Sequence, residues 1–256
     1  MRKRGYLLAA LAAVGLVAAA CSSDDDGGAT TEATTGVTAG DTTAATEPSG
    51  SEPADTVDVT QGQDVNLYVI THGDDGVFWS VVQKAVEQAG ADLGINVTYQ
   101  GANNNAEEQS QMIEAAIATN PDGIAISLAD PEGVSAAAQA VTDAGIPLYT
   151  INSGVNNYQD LGAVTHIGQT ETIAGNGAGE RFNEAGATKI LCGRQEQTNV
   201  ALEERCEGLD ETFDGEIISE FVGLDADQTE QQNAIAAALQ ADPAIDGFMG
   251  TGPVIA

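Results

Sequence analysis

From Asp64 onward the chain alternates between short β-rich apolar runs and Ala-rich amphipathic stretches, and this alternation limits the fold more than any other feature. The apolar runs predict strands at Val65 to Thr71, Ile95 to Gln100, Gly123 to Leu128, Pro147 to Ile151, Val164 to Ile167, Thr188 to Cys192, Glu216 to Phe221 and Ile245 to Met249. Between them apolar residues step by three and four, as in Phe78, Val81, Val82, Ala85 and Ala89, in Met112, Ile113, Ala116 and Ile117, and in Val134, Ala137, Ala138 and Val141. That period predicts helices. Asn105 with Glu108 predicts a capping box, and Asp130 before Pro131 predicts an N-cap followed by proline at the first helical position. Gly94, Gly145 and Gly186 each stand where a helix must close just before a strand. Near-continuous apolar strands separated by such helices imply mostly parallel sheets covered on both faces, a doubly wound α/β fold.

In this architecture ligands bind beyond the carboxyl ends of the strands. The loops expected there include His72 to Trp79, Gly101 to Asn105, Ser127 to Asp130, Asn152 to Gly154, Gly168 to Glu171, Gly193 to Asn199 and Gly250 to Pro253. They are rich in amides, hydroxyls and glycines, with one aromatic pair, a composition suited to holding a neutral polyhydroxyl ligand against an apolar platform. The motifs of catalysis are missing from the sequence: it has no Gly-x-Ser-x-Gly, no Cys-x-x-Cys, no His-Glu-x-x-His and no P-loop, and it has two histidines in all. The run Gly175-Asn-Gly177-Ala-Gly179 falls inside a helix, where glycines permit close packing, and it does not follow the first strand as a dinucleotide fingerprint would. Asp74, Asp75, Asp130 and Asp225 belong to different loops and lack the spacing of a calcium loop. A binding protein without cofactor or metal is expected, not an enzyme.

The charge balance narrows the partners. With 39 acidic and 8 basic side chains the formal charge is −31, and three of the basic residues are Arg2, Lys3 and Arg4. The five cations left after Cys21 cannot build a basic patch, which excludes a nucleic-acid binder. Those first cations precede a charge-free stretch, Gly5 to Ala20, and then Cys21. This is the layout of a secretory signal over residues 1–20. Small residues directly before a cysteine resemble the lipobox of bacterial lipoproteins, which implies lipidation of Cys21; an uncleaved anchor is the alternative. Either places the protein on the extracytoplasmic face of the cell membrane. Residues 21–63, rich in Thr, Ala, Gly and acid, are expected to be a disordered linker.

A signal, an acidic tether and then Thr71-His72-Gly73 with Val77-Phe78-Trp79 resemble the sugar-type periplasmic binding proteins of ABC importers, the ribose-binding-protein-like group of type I fold. The resemblance runs from about Asp64 to Ala256. It includes Asn120 to Ser127, Asp143 to Pro147, Ile167 to Glu171 with Gly175 and Gly179, Arg205-Cys206-Glu207-Gly208, and Asp242 to Gly247. It implies two α/β lobes, 64–165 and 166–256, that close on a sugar or polyol, and a monomer that delivers this ligand to a membrane permease or presents it to a sensory receptor.

Residue by residue, the resemblance implies ligand contacts from Thr71 or His72, from the aromatic pair Phe78 and Trp79, and from Ser127, Asn152, Gln169, Asn199 and Arg205. Gly252 stands where ribose-type members carry a contacting Asn, so that contact would be backbone or absent. Phe78 also continues a helical stripe and Arg205 lies among Glu203, Glu204 and Glu207, so core packing and charge neutralisation compete with these roles. Export permits a disulfide, and Cys192 at a strand end with Cys206 on the next helix is the favoured pair over two free thiols. Three strands follow the first crossing before Ala256, whereas the resemblance implies more, so the second lobe is expected to be incomplete.

Overall fold

The computed structural model describes residues 64–74, 76–224, 227–253 and 255. The expected signal over 1–20, the lipidation site Cys21 and the linker over 21–63 lie outside the described residues, as do Asp75 and Asp225.

Two parallel sheets form. The first contains β1 (Asn66–Thr71), β2 (Asn96–Gly101), β3 (Gly123–Ile126), β4 (Leu148–Ile151) and β5 (Thr165–Ile167), in the spatial order β2-β1-β3-β4-β5. Its helices are α1 (Gly76–Leu93), α2 (Ala106–Ile117) and α3 (Pro131–Asp143). After α4 (Glu171–Ala185), the second sheet contains β6 (Lys189–Arg194), β7 (Glu216–Phe221) and β8 (Gly247–Gly250) in the order β7-β6-β8, with α5 (Val200–Thr212) and α6 (Gln228–Ala241) between the strands. Both sheets therefore place their first strand between the second and the third, and each has a topological switch point beside that first strand.

The helix ends follow the chemistry of their sequences. The Asn105 side chain accepts from the backbone N–H groups of Glu107 and Glu108, and the Asp130 side chain accepts from Gly133 N–H, with Pro131 opening the helix. The capping box is half formed, because the Asn105 N–H donates to the carbonyl of Ala102. Gly186, with φ 75°, closes α4 in the left-handed conformation that glycine adopts without steric cost.

The first core packs Ile70, Ile124, Ile126 and Leu148 of the sheet against Ile113, Val134 and Val141 of the helices, all with 0% exposure. Each such side chain contributes about 1.5–3 kcal/mol through burial. A second core gathers Ile190, Cys192, Cys206, Leu209 and Phe213. The expected faces of α2 and α3 are the buried ones, but that of α1 is rotated: Trp79 and Gly90 are buried and Val82 and Val86 half-buried, while Phe78, Val81, Ala85 and Ala89 are exposed. Gly90 accounts for the shift. A Cβ there would lie 3.1 Å from Val97 Cγ2, so this bare position lets the helix settle on β2.

Glycine also sets the contact between α4 and α5. A Cβ on Gly175 would collide with the backbone of Arg205 and Leu209, one on Gly208 with the backbone of Thr172, and one on Gly179 with Thr212 and Leu209. The glycine run thus brings two helices into backbone contact, except at Gly177, which faces open space.

Candidate ligand-binding cleft

The first switch point lies between β1 and β3, and its loops are locked together. The His72 N–H donates to Ser127 Oγ at 2.7 Å, and His72 Nδ1 lies 2.7 Å from the same oxygen. From α2, the buried Gln109 amide donates to the Ser127 carbonyl at 2.8 Å and approaches that of Ile70 at 3.3 Å. At the second switch point, between β6 and β8, Thr251 Oγ1 lies 3.0 Å from the Gly193 carbonyl and 2.9 Å from Gln195 Oε1.

Between these two sets of strand ends lies a cavity of about 710 Å³. One part of its wall is apolar, from Val77, Phe78, Trp79, Val82, Ile151 and Ile167; another carries His72, Asn152, Gln169, Gln195, Asn199 and Arg205. The volume suits a small ligand, and the mixture of an apolar platform with convergent amides is that of a recognition site. Among the described residues no cluster of three metal-ligating side chains occurs, and no helix is long and apolar enough to cross a membrane.

Seven of the nine residues singled out from the sequence line this cavity: His72, Phe78, Trp79, Asn152, Gln169, Asn199 and Arg205. Trp79 is buried and meets His72 and Phe78 edge to face, each with ring centroids 4.9 Å apart. Gly73 makes room for the indole, since a Cβ there would run into it. Asn152 holds φ at 61°, a left-handed conformation that Asn tolerates better than most residues, at the turn after β4.

Two of the nine do not reach the cavity. Thr71 is wholly buried, with Oγ1 2.7 Å from the Gly73 carbonyl and 2.9 Å from the Tyr99 hydroxyl. Ser127, also wholly buried, uses its hydroxyl on His72. Both support the loop that carries His72. Arg205 does line the cavity, but its Nε donates to Glu171 Oε2 at 2.7 Å, its Nη2 pairs with the same oxygen and its Nη1 donates to the Thr251 carbonyl. Its ion-pair partner is Glu171, not the neighbouring glutamates on α5.

Glu171, Gln195, Glu196 and Thr251 are cleft residues that the sequence did not single out. Gln195 fills the space beside Gly252, where a Cβ would strike its amide. Cys192 and Cys206 are joined by a disulfide that ties β6 to α5 one residue past Arg205.

A two-lobed array of parallel sheets with a polar and aromatic cleft at the facing strand ends defines a solute-binding protein of the type I α/β class. Residues 67–256 match the periplasmic binding protein domain family, and the chain belongs to it. This is a family of binding proteins, not of enzymes. Among solved structures, a carbohydrate transporter from Acidothermus cellulolyticus 11B in complex with myo-inositol is 33% identical with a TM-score of 0.70, over 74% of this chain and 66% of that one. An ABC transporter solute-binding protein from Burkholderia graminis C4D1M in complex with D-arabinose is 25% identical with a TM-score of 0.66, over 77% of this chain and 68% of that one. A D-apiose import binding protein from Actinobacillus succinogenes is 23% identical over 202 residues, 74% of this chain. The chain spans 62% of the length of that curated relative.

Proposed function

We propose that this protein captures a neutral sugar or polyol between its lobes, 64–165 and 166–256, and delivers it to the permease of an ABC transporter while held by lipid on Cys21 at the extracytoplasmic face of the membrane. The observation that carries this reading is the cleft itself, with Trp79 on one side and Asn152, Gln169 and Asn199 on another. Hydroxyl groups need paired donors and acceptors, which amides supply, and the apolar face of a sugar ring or cyclitol needs an aromatic or aliphatic surface. The myo-inositol and D-arabinose complexes of the similar proteins support the same ligand class.

A ligand that touches both lobes stabilises the closed form by its differential affinity, and a permease that recognises this form receives the loaded protein. The linker over 21–63 acts as a spacer, and the anchor raises the effective concentration near the permease of a protein that works as a monomer. Calorimetric titration of the full mature chain against pentoses, hexoses, cyclitols and linear polyols is expected to give one tight binder. No heat across the whole panel would overturn the reading.

A further inference from the structure

A second cavity, of about 340 Å³, lies beside the ligand cleft. His72 and Glu196 line both, so their contact at 3.2 Å stands between the two spaces. Both lobes build the walls of the second space. Gln109 of α2 and Asp130 at the start of α3 come from the first lobe; Glu196 after β6, and Phe221 and Leu224 at and after the end of β7, come from the second. Phe221 and Leu224 are exposed, so the space is reached from solvent on their side.

The polar atoms left over here are acceptors. Gln109 is 1% exposed, and its amide nitrogen is turned to the Ile70 and Ser127 carbonyls. Its Oε1 is buried and has no hydrogen-bond partner among the described residues. A buried amide oxygen is rarely left so, because it has lost water and gained nothing in exchange. Asp130 uses Oδ1 on the Gly133 N–H and Glu196 uses Oε2 on His72 and Asn199, so each carboxylate keeps a second oxygen.

Charge points the same way. Among the described residues that line this cavity there is no arginine or lysine, and His72 is paired with Glu196, so the two add no net positive charge. The N-termini of α2 and α3 are already met by the Asn105 and Asp130 caps and by Glu107, Glu108 and Glu132 in their first turns, which offsets the pull of those helix ends on an anion. With 39 acidic side chains against 8 basic ones the whole chain draws cations, and the Phe221 ring adds attraction for one. The volume and the apolar side formed by Phe221 and Leu224 suit a small organic ion better than a bare metal ion.

We propose that this second cavity binds a small primary ammonium compound, held by Gln109 Oε1 and the Asp130 and Glu196 carboxylates against Phe221 and Leu224. An occupant that touches both lobes favours the closed form, so by reciprocity the ammonium compound and the sugar strengthen each other's binding. The site itself stands apart from the carbohydrate reading; the coupling rests on it.

The test is calorimetry on the full mature chain, alone and saturated with the sugar or polyol it binds. Ethanolamine and putrescine are the probes, with ethylene glycol as a neutral counterpart and tetramethylammonium as a cation without N–H donors. At least one amine is expected to bind with a Kd of about 1 mM or tighter, and about tenfold or more tightly than either control. Saturating amine should raise the sugar affinity by about fivefold or more. Asp130→Asn keeps a good N-cap and removes the charge, so the folded variant should lose about tenfold in amine affinity. The site is overturned by silence of both amines with and without sugar, by ethylene glycol or calcium chloride binding as well as they do, or by an unaltered amine affinity in Asp130→Asn. Displacement of the sugar by the amine also overturns it, since the probe then occupies the main cleft. Amine binding that leaves the sugar affinity unchanged supports the site and overturns the coupling. Silence of the sugar panel overturns the carbohydrate reading, while the amine titration of the chain alone still decides the site. A crystal structure with ethanolamine gives a second measurement that needs no variant: its nitrogen should lie within hydrogen-bond distance of Gln109 Oε1, and a nitrogen bound elsewhere refutes the assignment.

Discussion

His72 Nε2, in the loop after β1, lies 3.2 Å from a carboxylate oxygen of Glu196, in the loop after β6. The same oxygen accepts from Asn199 Nδ2 at 2.7 Å, while Asn199 Oδ1 caps α5 by accepting from Ala201 N–H and lies 3.2 Å from Ser153 Oγ. The next residue, Val200, donates its N–H to the Ala129 carbonyl at 2.9 Å. The first turn of α5 is thus docked on loops of the first sheet, and the bonds from Glu196 to His72, from Asn199 to Ser153 and from Val200 to Ala129 exist only when the two sets of loops are together.

Glu196→Gln is therefore expected to weaken the closed form, seen as a larger radius of gyration by small-angle scattering and as lower ligand affinity. Burial pushes the Glu196 carboxyl up, but the hydrogen bond and charge of His72 and the Asn199 amide outweigh it, so the group sits below its ordinary value of 4.5. A carboxyl lowered in the folded state contributes stability that is fully present above its unfolded value and lost as pH falls through the lowered one. The Glu196 contribution should then hold at neutral pH and disappear only in acid below about 4.5. An unchanged radius and affinity in the variant would refute the clasp.

Trp79 is the single tryptophan of the chain and lines the cleft, which makes it a built-in reporter. Ligand titration should change its emission along one saturating curve with the affinity found by calorimetry. Trp79→Ala should abolish that signal and also lower the melting temperature, because the ring is buried against His72 and Phe78. Replacing a buried aromatic by alanine costs about 3–5 kcal/mol. Ligand binding that leaves the emission of the wild type unchanged would place the ligand away from this ring.

How much of this was legible in the sequence depends on how local the cause is. Strand positions, the N-caps Asn105 and Asp130 and the closing glycines follow from residues within a few positions of one another, and all eight expected strands form. The face of α1 was misread because its rotation is set by contact between Gly90 and Val97 on another element. Thr71 and Ser127 sit at the right strand ends, yet their hydroxyls are used inside the first lobe, where Tyr99 and His72 meet them. Glu171 and Glu196 fell within the expected loops, but their pairing was not legible because their partners, Arg205 and His72, are chosen by the docking of helices and lobes far apart in the chain.

The α4–α5 contact separates glycines that the sequence alone presents as equivalent. Gly177→Ala fills open space on a helix and should stabilise the protein by about 0.5–1 kcal/mol through helix propensity. Gly175→Ala should instead push α5 away, lower the melting temperature and weaken ligand binding, since Arg205 lies at the point of collision. Thermal denaturation of the two variants side by side decides this, and similar shifts for both would show that the glycines do not set the contact.

The disulfide also fixes the same helix. Cys192 and Cys206 are both buried and 14 residues apart in sequence, and they join the central strand of the second sheet to the helix that carries Asn199 and Arg205. Closing a loop of that length stabilises the folded state by about 3 kcal/mol, largely by restricting the unfolded chain. For a folded region of this size that corresponds to roughly 6–12 °C in melting temperature. The double variant Cys192→Ala, Cys206→Ala should lose that much in a calorimetric scan. It should also bind ligand more weakly, because α5 is then held by the Gly208 contact with α4 and by the Glu171–Arg205 pair without the covalent tie to β6. A melting temperature within about 2 °C of wild type would mean that packing around Leu209 and Phe213 is enough to position the helix.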